Sequence, residues 1–513
     1  MRKTGRLLWP LALMLGPAAW AQEAPTQTQP AAGTQPASPT DRWPGKPNPD
    51  APPQTCERLN GYHGIWYSNQ PTNDEYRYKY SGGLGTYCAH HIPMAHYAPE
   101  ADKTFFVYGG MPEDGHLSDE KRTLLICVSY YDHKTGLVPR PSLLMNKKTS
   151  DAHDNPVLML DREGYIYVFV SAHGTARPAY VFKSAKPYDI DTFRMVWETN
   201  FSYPQPWYIE GRGFLFLHTR YDAGRKLHFM TSRDGLDWSE PQPLAGIERG
   251  HYQVSARFGG KVGTAFNYHP QEGGLNARTN LYYIETPDLG HTWQTAAGEP
   301  VVVPLTSVDN TALVRDYASA RQLVYLDDLT FDSRGFPVIV YVVSRGWEPG
   351  PRNNWRKVYT ARWTGNEWQI SGLLLADNNY DTGCLHVEGK SAWRLIAPTI
   401  VGRNHPPQSP QPYNPGGEMM MWTSGDLGRT WVSQWLTRDS LYNHGYARRP
   451  EYAHQDFYAF WTDGHGRQPS ESRLYFTTQE GRVYRLPTQM SEDFARPELM
   501  PFFPRSAPAN PNQ

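Results

Sequence analysis

Long helical periodicity is scarce in this sequence. Stretches with apolar residues at i, i+3, i+4 and i+7 are hard to find, which argues against a helical or α/β architecture. Cysteine is scarce as well: Cys56, Cys88, Cys127 and Cys384 are the whole set, and none forms a CxxC pair of the kind that zinc or dithiol redox chemistry uses. There is no basic tract, and the formal net charge is −1, so neither nucleic acid nor an anionic membrane surface is expected as a partner. An anionic ligand would have to be met by a local cluster instead of a global field. The apolar run from Leu7 to Pro17 is too short for a membrane span.

What is present begins with an export signal. Arg2, Lys3 and Arg6 precede that apolar run, and Ala19-Trp20-Ala21 follows it as a small-x-small cleavage site. No cysteine follows the site, which argues against a lipid anchor. The expectation is a signal peptide over 1–21 and a soluble, monomeric, periplasmic or secreted protein. In that setting a Cys88–Cys127 disulfide and buried free thiols are both open. Residues 22–53 are rich in Pro, Ala, Thr and Gln and lack large apolar side chains, so they read as a disordered leader. No second linker follows until a Pro-rich tail over 501–513, which leaves one large domain over 54–500.

Aromatic residues make up 13% of the chain, with 44 Gly and 45 Pro, as many short strands and turns require. A turn pattern recurs: Ser232-Arg-Asp234-Gly235-Leu-Asp-Trp238, then Thr286-Pro-Asp288-Leu-Gly290-His-Thr-Trp293, then Ser424-Gly-Asp426-Leu-Gly428-Arg-Thr-Trp431. Asp accepts the turn amides, Gly takes a positive φ, and Trp tucks beneath the sheet. The pattern resembles the Asp-box of BNR-repeat proteins. Its spacing leaves room for a degenerate copy at Trp363-Thr-Gly-Asn-Glu-Trp368. The fold class is therefore all-β, a single β-propeller of seven four-stranded blades, with six as the alternative count.

The densest chemistry lies between residues 150 and 221. His153-Asp154-Asn155-Pro156 leads into an apolar strand, and a turn at Asp161–Gly164 returns the chain through Tyr165–Val170 to His173. The hairpin brings both imidazoles to one end of a blade. Tyr203 and Arg220 bracket the next strand pair. Two His, a Tyr and an Arg are the tools of β-elimination beside a carboxylate. A cation neutralises the uronate, a His or Tyr removes the C5 proton, and a Tyr protonates the leaving oxygen. Loops carrying Tyr252, His269, Arg278, His444 and Arg448 would reach the same axial face and, with Asn155, could bind substrate.

These features resemble the BNR-repeat propellers that include the ulvan lyases and a rhamnose–glucuronate lyase family. Those proteins carry a His pair about 20 residues apart, then a Tyr and an Arg about 16 apart. By this resemblance His153, His173, Tyr203 and Arg220 form the catalytic set, and the substrate is an acidic polysaccharide or oligosaccharide. The HDNP, GGLNARTNLYY (Gly273 to Tyr283) and NHGYARRP (Asn443 to Pro450) segments are shared with a further bacterial group of such proteins. The resemblance also implies a structural calcium or zinc ion. The residues offer only Asp377/Asp381, more readily an Asx-rich turn, and Cys384-Leu-His386. Two other functions stay open: a sialidase-like hydrolase, for which Glu418 has no evident partner, and a non-catalytic glycan-binding propeller.

Overall fold

The computed structural model describes residues 45–399 and 410–503, and the expected signal peptide and most of the expected leader and tail lie outside the described residues. The described strands form seven antiparallel sheets arranged as the blades of a propeller, and the innermost strand of each is the first in sequence. Blade 1 comprises Ala95–Ala98, Lys103–Gly110, Leu125–Asp132 and Ser142–Asn146, and blade 2 comprises Pro156–Leu160, Ile166–Val170, Ala179–Ser184 and Thr192–Thr199. Blades 3 to 7 open on Ser202–Ile209, Gln253–Phe258, Leu323–Phe331, Cys384–Glu388 and Asn443–Arg448.

The three Asp-box turns join the third and fourth strands of blades 3, 4 and 6, and Trp363-to-Trp368 makes the same connection in blade 5. In the blade 6 turn, the Asp426 carboxylate accepts the amides of Arg429 and Thr430 at 3.0 and 2.9 Å. Gly428 there has φ +80°, which a side chain would resist. These bonds, led by those from Thr430, hold the Asp426 carboxyl down at about 2.

Because each blade is built from consecutive strands, the ring is tied from outside. Glu57–Arg58 pairs with the outer strand of blade 1, Phe494–Ala495 pairs with Val138–Pro139 beside it, and Glu498–Leu499 extends blade 7. The folded unit starts earlier than the composition indicated. The indole of Trp197 donates to the Gly45 carbonyl at 2.5 Å, and Gln54–Thr55 adds a strand to blade 2. All four cysteines are free, including Cys88 and Cys127, so of the two alternatives left open the free thiols hold. Burial raises both thiols, to about 12.

A hairpin, Trp66–Pro71 with Tyr78–Gly83, precedes blade 1 and lies outside the seven sheets. It is anchored on blade 7, where the Trp66 indole donates to the His465 carbonyl at 2.7 Å and the Thr462 hydroxyl donates to the Gly83 carbonyl at 2.8 Å.

Candidate active site

On the face where the chain enters each inner strand, a cavity of about 90 Å³ lies on the propeller axis. Its wall takes residues from the hairpin (Asn69, Gln70, Lys79, Tyr80) and from the Tyr87–His90 segment that enters blade 1. His153 and His173 come from blade 2, Arg225 from blade 3, Tyr252, Leu275 and Arg278 from blade 4, and further residues from blades 5, 6 and 7.

The register of blade 2 explains the imidazole pair. Pro156 faces Val170 across the first two strands, and continuing that pairing places His153 opposite His173. The two rings stack with centroids 3.9 Å apart and planes at 20°. Asp151 caps the short turn before the strand and orients both rings: its Oδ1 accepts from His153 Nδ1 at 2.6 Å, and its Oδ2 accepts from His173 Nδ1 at 2.7 Å. Arg177 donates to Asp151 at 3.0 Å and to both oxygens of Asp154 at 2.9 and 2.8 Å, while Lys147 pairs with Asp154 at 3.2 Å. Burial alone would raise the Asp151 carboxyl, but its charge and hydrogen-bond interactions with the two histidines hold it well below the carboxylate range.

With Nδ1–H of each ring committed to Asp151, each Nε2 carries a lone pair. For His153 that lone pair faces the hydroxyls of Tyr80 and Tyr87 at 2.8 and 3.2 Å. Burial and the neighbouring His173 lower His153 to about 4, so it is neutral near pH 7. The side chain of His173 is 26% exposed, which leaves it accessible to a ligand.

The cavity wall carries no carboxylate among the described lining residues, yet it holds Lys79, Arg225 and Arg278. Arg278 is 3% exposed, and its guanidinium lies 4.7 Å from the Tyr252 ring and 4.3 Å from the Tyr325 ring. Its hydrogen bonds run to the Leu275 carbonyl at 2.7 Å and the Tyr380 hydroxyl at 3.5 Å, not to an acid. Arg225 donates to the Tyr221 hydroxyl at 3.1 Å. Burial, reinforced by the charges of Arg278 and Arg225, pushes the Lys79 amine down to about 5. The site thus has two permanent cations and a lysine that an arriving anion would protonate.

Not every sequence candidate lies here. His153, His173, Tyr252 and Arg278 line the cavity. Tyr203 is 2% exposed and sits behind the wall, its ring centroid 6.2 Å from His153 and 5.2 Å from Tyr252, with its backbone at φ +53°. Arg220 is placed elsewhere. It neighbours Tyr221 on the same strand, so the pleat turns it to the opposite sheet face. There it adjoins His218 and His228, with Asp222 and Glu240 as its acidic neighbours. Arg225, at the start of the next strand, occupies the cavity instead.

Asn155 is a buried brace whose amide donates to the carbonyls of Leu84 and Tyr87 at 2.8 and 2.9 Å. A Cβ at Gly109 would come within 1.9 Å of its Oδ1, so glycine is needed there. His444 accepts from the Trp461 indole at 2.9 Å inside blade 7. Arg448 donates to the Thr86 carbonyl at 2.9 Å and lines a smaller cavity with His91 and Asp328. His269 is buried behind Tyr252, ring centroids 4.9 Å apart. Asp151, Tyr80, Lys79 and Arg225 were missed. Asp151 lies two residues before His153, an acid adjoining an imidazole, and that was the one local signal available.

The metal candidates do not fit. Asp381 spends its carboxylate on the amides of Asp377, Asn378 and Gly416 at 3.0, 2.9 and 2.9 Å, which is an Asx-type turn. Among the described residues, Cys384 and His386 join no group of three His, Cys, Asp or Glu ligand atoms close enough together to share an ion.

Comparison with known proteins agrees with this architecture. The model of the BNR repeat-containing family matches residues 118–374. The chain belongs to that family. Within and around it, the BNR chain is 24% identical over 319 residues to the ulvan lyase of Nonlabens ulvanivorans, covering 52% of this chain and 63% of the relative. It is 22% identical over 311 residues to an ulvan lyase of Pseudoalteromonas sp. (strain PLSV), covering 52% and 60%. The chain thus spans about three fifths of the length of these curated relatives. Among solved structures, a PL25 ulvan lyase superposes with a TM-score of 0.62 at 16% identity, covering 82% of this chain and 96% of that one. A second structure of that kind, bound to -[GlcA(1-4)Rha3S]-, gives 0.61 at 15% identity over 82% and 96%. At these identities the superpositions establish the propeller fold.

Proposed function

We propose that this BNR protein is a polysaccharide lyase that breaks a glycosidic bond beside a uronic acid by β-elimination. The observation that carries the proposal is a carboxylate-free wall bearing Arg225, Arg278 and Lys79 next to an imidazole pair oriented by one aspartate. The arginines meet the uronate carboxylate and disperse the charge that builds on it as C5 loses its proton. His173 Nε2, kept basic in form by the Nδ1–H bond to Asp151, takes that proton. The freed electron pair forms the C4–C5 double bond, the C4–O4 bond breaks, and the leaving oxygen is protonated. Tyr80 is the donor we assign, since its hydroxyl lies 2.8 Å from His153 Nε2 and can draw a replacement proton through that ring. The names of the relatives and the glucuronate-containing ligand of one neighbour support an acidic polysaccharide as substrate.

Hydrolysis by paired carboxylic acids has little support here. Asp151 is saturated by two imidazoles and Arg177. Glu418, the acid a sialidase-like site would need, is buried on Thr437 and Ser440 at 2.5 and 2.7 Å. The test is ultraviolet absorbance of an unsaturated uronate on a panel of uronate polysaccharides that includes ulvan and gum arabic. A rise with new reducing ends is the expected result. New ends without absorbance would overturn elimination in favour of hydrolysis, and neither signal on any polymer would leave a glycan-binding propeller.

A further inference from the structure

Closing the ring gathers imidazoles and carboxylates at a second place, away from the axial cavity. Among the described residues, two groups of three His, Cys, Asp or Glu side chains bring one ligand atom each within 4.8 Å of one another. The first, Asp151 with His153 and His173, is the hydrogen-bonded set of the site, and its aspartate spends both oxygens on the two rings. The second is His133, His454 and Asp456.

The second group spans the seam between the first blade and the last. His133 directly follows the third strand of blade 1, Leu125–Asp132, and its amide donates to the Asp102 carbonyl at 3.0 Å. His454 and Asp456 lie between the first two strands of blade 7, in a turn where the Phe457 amide donates to the His454 carbonyl at 3.0 Å. Alternate strands of an antiparallel blade run the same way, so both places lie on the face away from the axial cavity. Blades 1 and 7 meet there through the Glu451 amide on the Ala95 carbonyl at 2.8 Å and the stacked rings of Phe106 and Phe457, 5.6 Å apart. The two imidazoles lie across the same seam with centroids 3.9 Å apart.

Their hydrogen bonds leave a ligand atom on each ring. His133 Nε2 meets the Thr104 hydroxyl at 2.8 Å, while its Nδ1 is buried and has no partner among the described residues. His454 Nδ1 accepts the Asp456 amide at 3.2 Å and stands 3.7 Å from the Asp456 carboxylate. A neutral ring that accepts at Nδ1 carries its lone pair there. The Tyr97 ring fixes both imidazoles by packing, at 5.2 Å from His133 and 4.8 Å from His454. Two imidazoles and a carboxylate suit zinc, with water as the fourth ligand, and a hydroxyl on the far nitrogen orients a ligating ring. Calcium and magnesium prefer all-oxygen sets. Both histidines are partly exposed and Asp456 is exposed, which gives an ion a way in.

We propose that His133, His454 and Asp456 bind a zinc ion that staples blade 1 to blade 7 and secures the closure of the ring. The proposal is independent of the reaction at the axial cavity.

Zinc titration of the chelator-stripped protein, read by calorimetry and thermal melting, tests it. One ion per chain is expected at this seam, and free zinc about a hundredfold above Kd should raise the melting midpoint by about 3 °C. Calcium at the same concentration should leave the midpoint unchanged. His133→Gln and His454→Gln should each weaken zinc binding by about 10²-fold or more and abolish the shift, whereas His173→Ala, in the other group of three, keeps both. Anomalous diffraction at the zinc edge from wild-type crystals places the ion without relying on a variant that folds, and density between His133 and His454 is expected. No zinc bound by the wild type, unchanged binding in His133→Gln, or anomalous density only in the axial cavity would each overturn the proposal.

Discussion

Two concavities lie on the two ends of the propeller, and the larger is the one whose arginines are paired with acids. The groove opposite the site has a volume of about 920 Å³ and is lined by Tyr97, Tyr188, Tyr208 and Tyr452 among others. Its arginines are paired: Arg257 meets Glu451 at 2.7 Å and Arg162 meets Glu210 at 3.6 Å. The axial cavity is about 90 Å³, yet its cations face no acid and its imidazoles are held in one tautomer by Asp151. The difference teaches that uncompensated charge, not volume, marks the chemistry. A buried cation without an acid costs stability, and such a cost persists where a ligand supplies the missing charge.

The largest effect should come from removing the base. His173→Ala is expected to lower kcat by about 10²- to 10⁴-fold, while Tyr452→Ala in the opposite groove changes it by less than about twofold. Initial rates of unsaturated-product formation check both, and a large loss in Tyr452→Ala would break the comparison outright. Next, Arg225→Ala should cost on the order of 10²-fold in kcat/KM, whereas Arg220→Ala should retain near wild-type turnover. Equal losses in both would mean that Arg220 reaches the site in solution.

A smaller effect concerns protons. Lys79 is held at about 5 in the free protein and should rise once a carboxylate is bound. Binding near pH 7 is therefore accompanied by proton uptake, and affinity strengthens as pH falls toward 5. Calorimetry in buffers of different ionisation enthalpy, using His173→Ala, reads the uptake directly; Lys79→Met should abolish it. The smallest effect is on the rim: Asp426→Ala removes the turn bonds of one Asp-box and should cost about 1 kcal/mol of stability by thermal melting, with kcat unchanged.

Much of the fold was legible because its marks are local. An Asp-box needs its Asp, Gly and Trp within eight residues, and the His153–His173 pairing follows from one hairpin whose register extrapolates in the sequence. The site was legible only in part. Spacing placed Tyr203 and Arg220 one blade on, but it could not show that Tyr203 lies behind the wall. A one-residue step along a strand reverses the face of a side chain, and that step separates Arg220 from Tyr221. Asn155, His444 and Arg448 looked available as polar residues near strand ends, and each is consumed by a buried hydrogen bond.

The sequence by itself determined the all-β propeller, its rim turns and the imidazole pair, since each depends on residues near in the chain. Only the tertiary structure decided which cations meet around the axis and that Tyr80 and Lys79 of a separate hairpin join them in the wall. Those contacts join residues such as Lys79 and Asn276 that lie 197 positions apart. They arise from the closing of the ring, which brings seven strand ends to one point that no local pattern encodes.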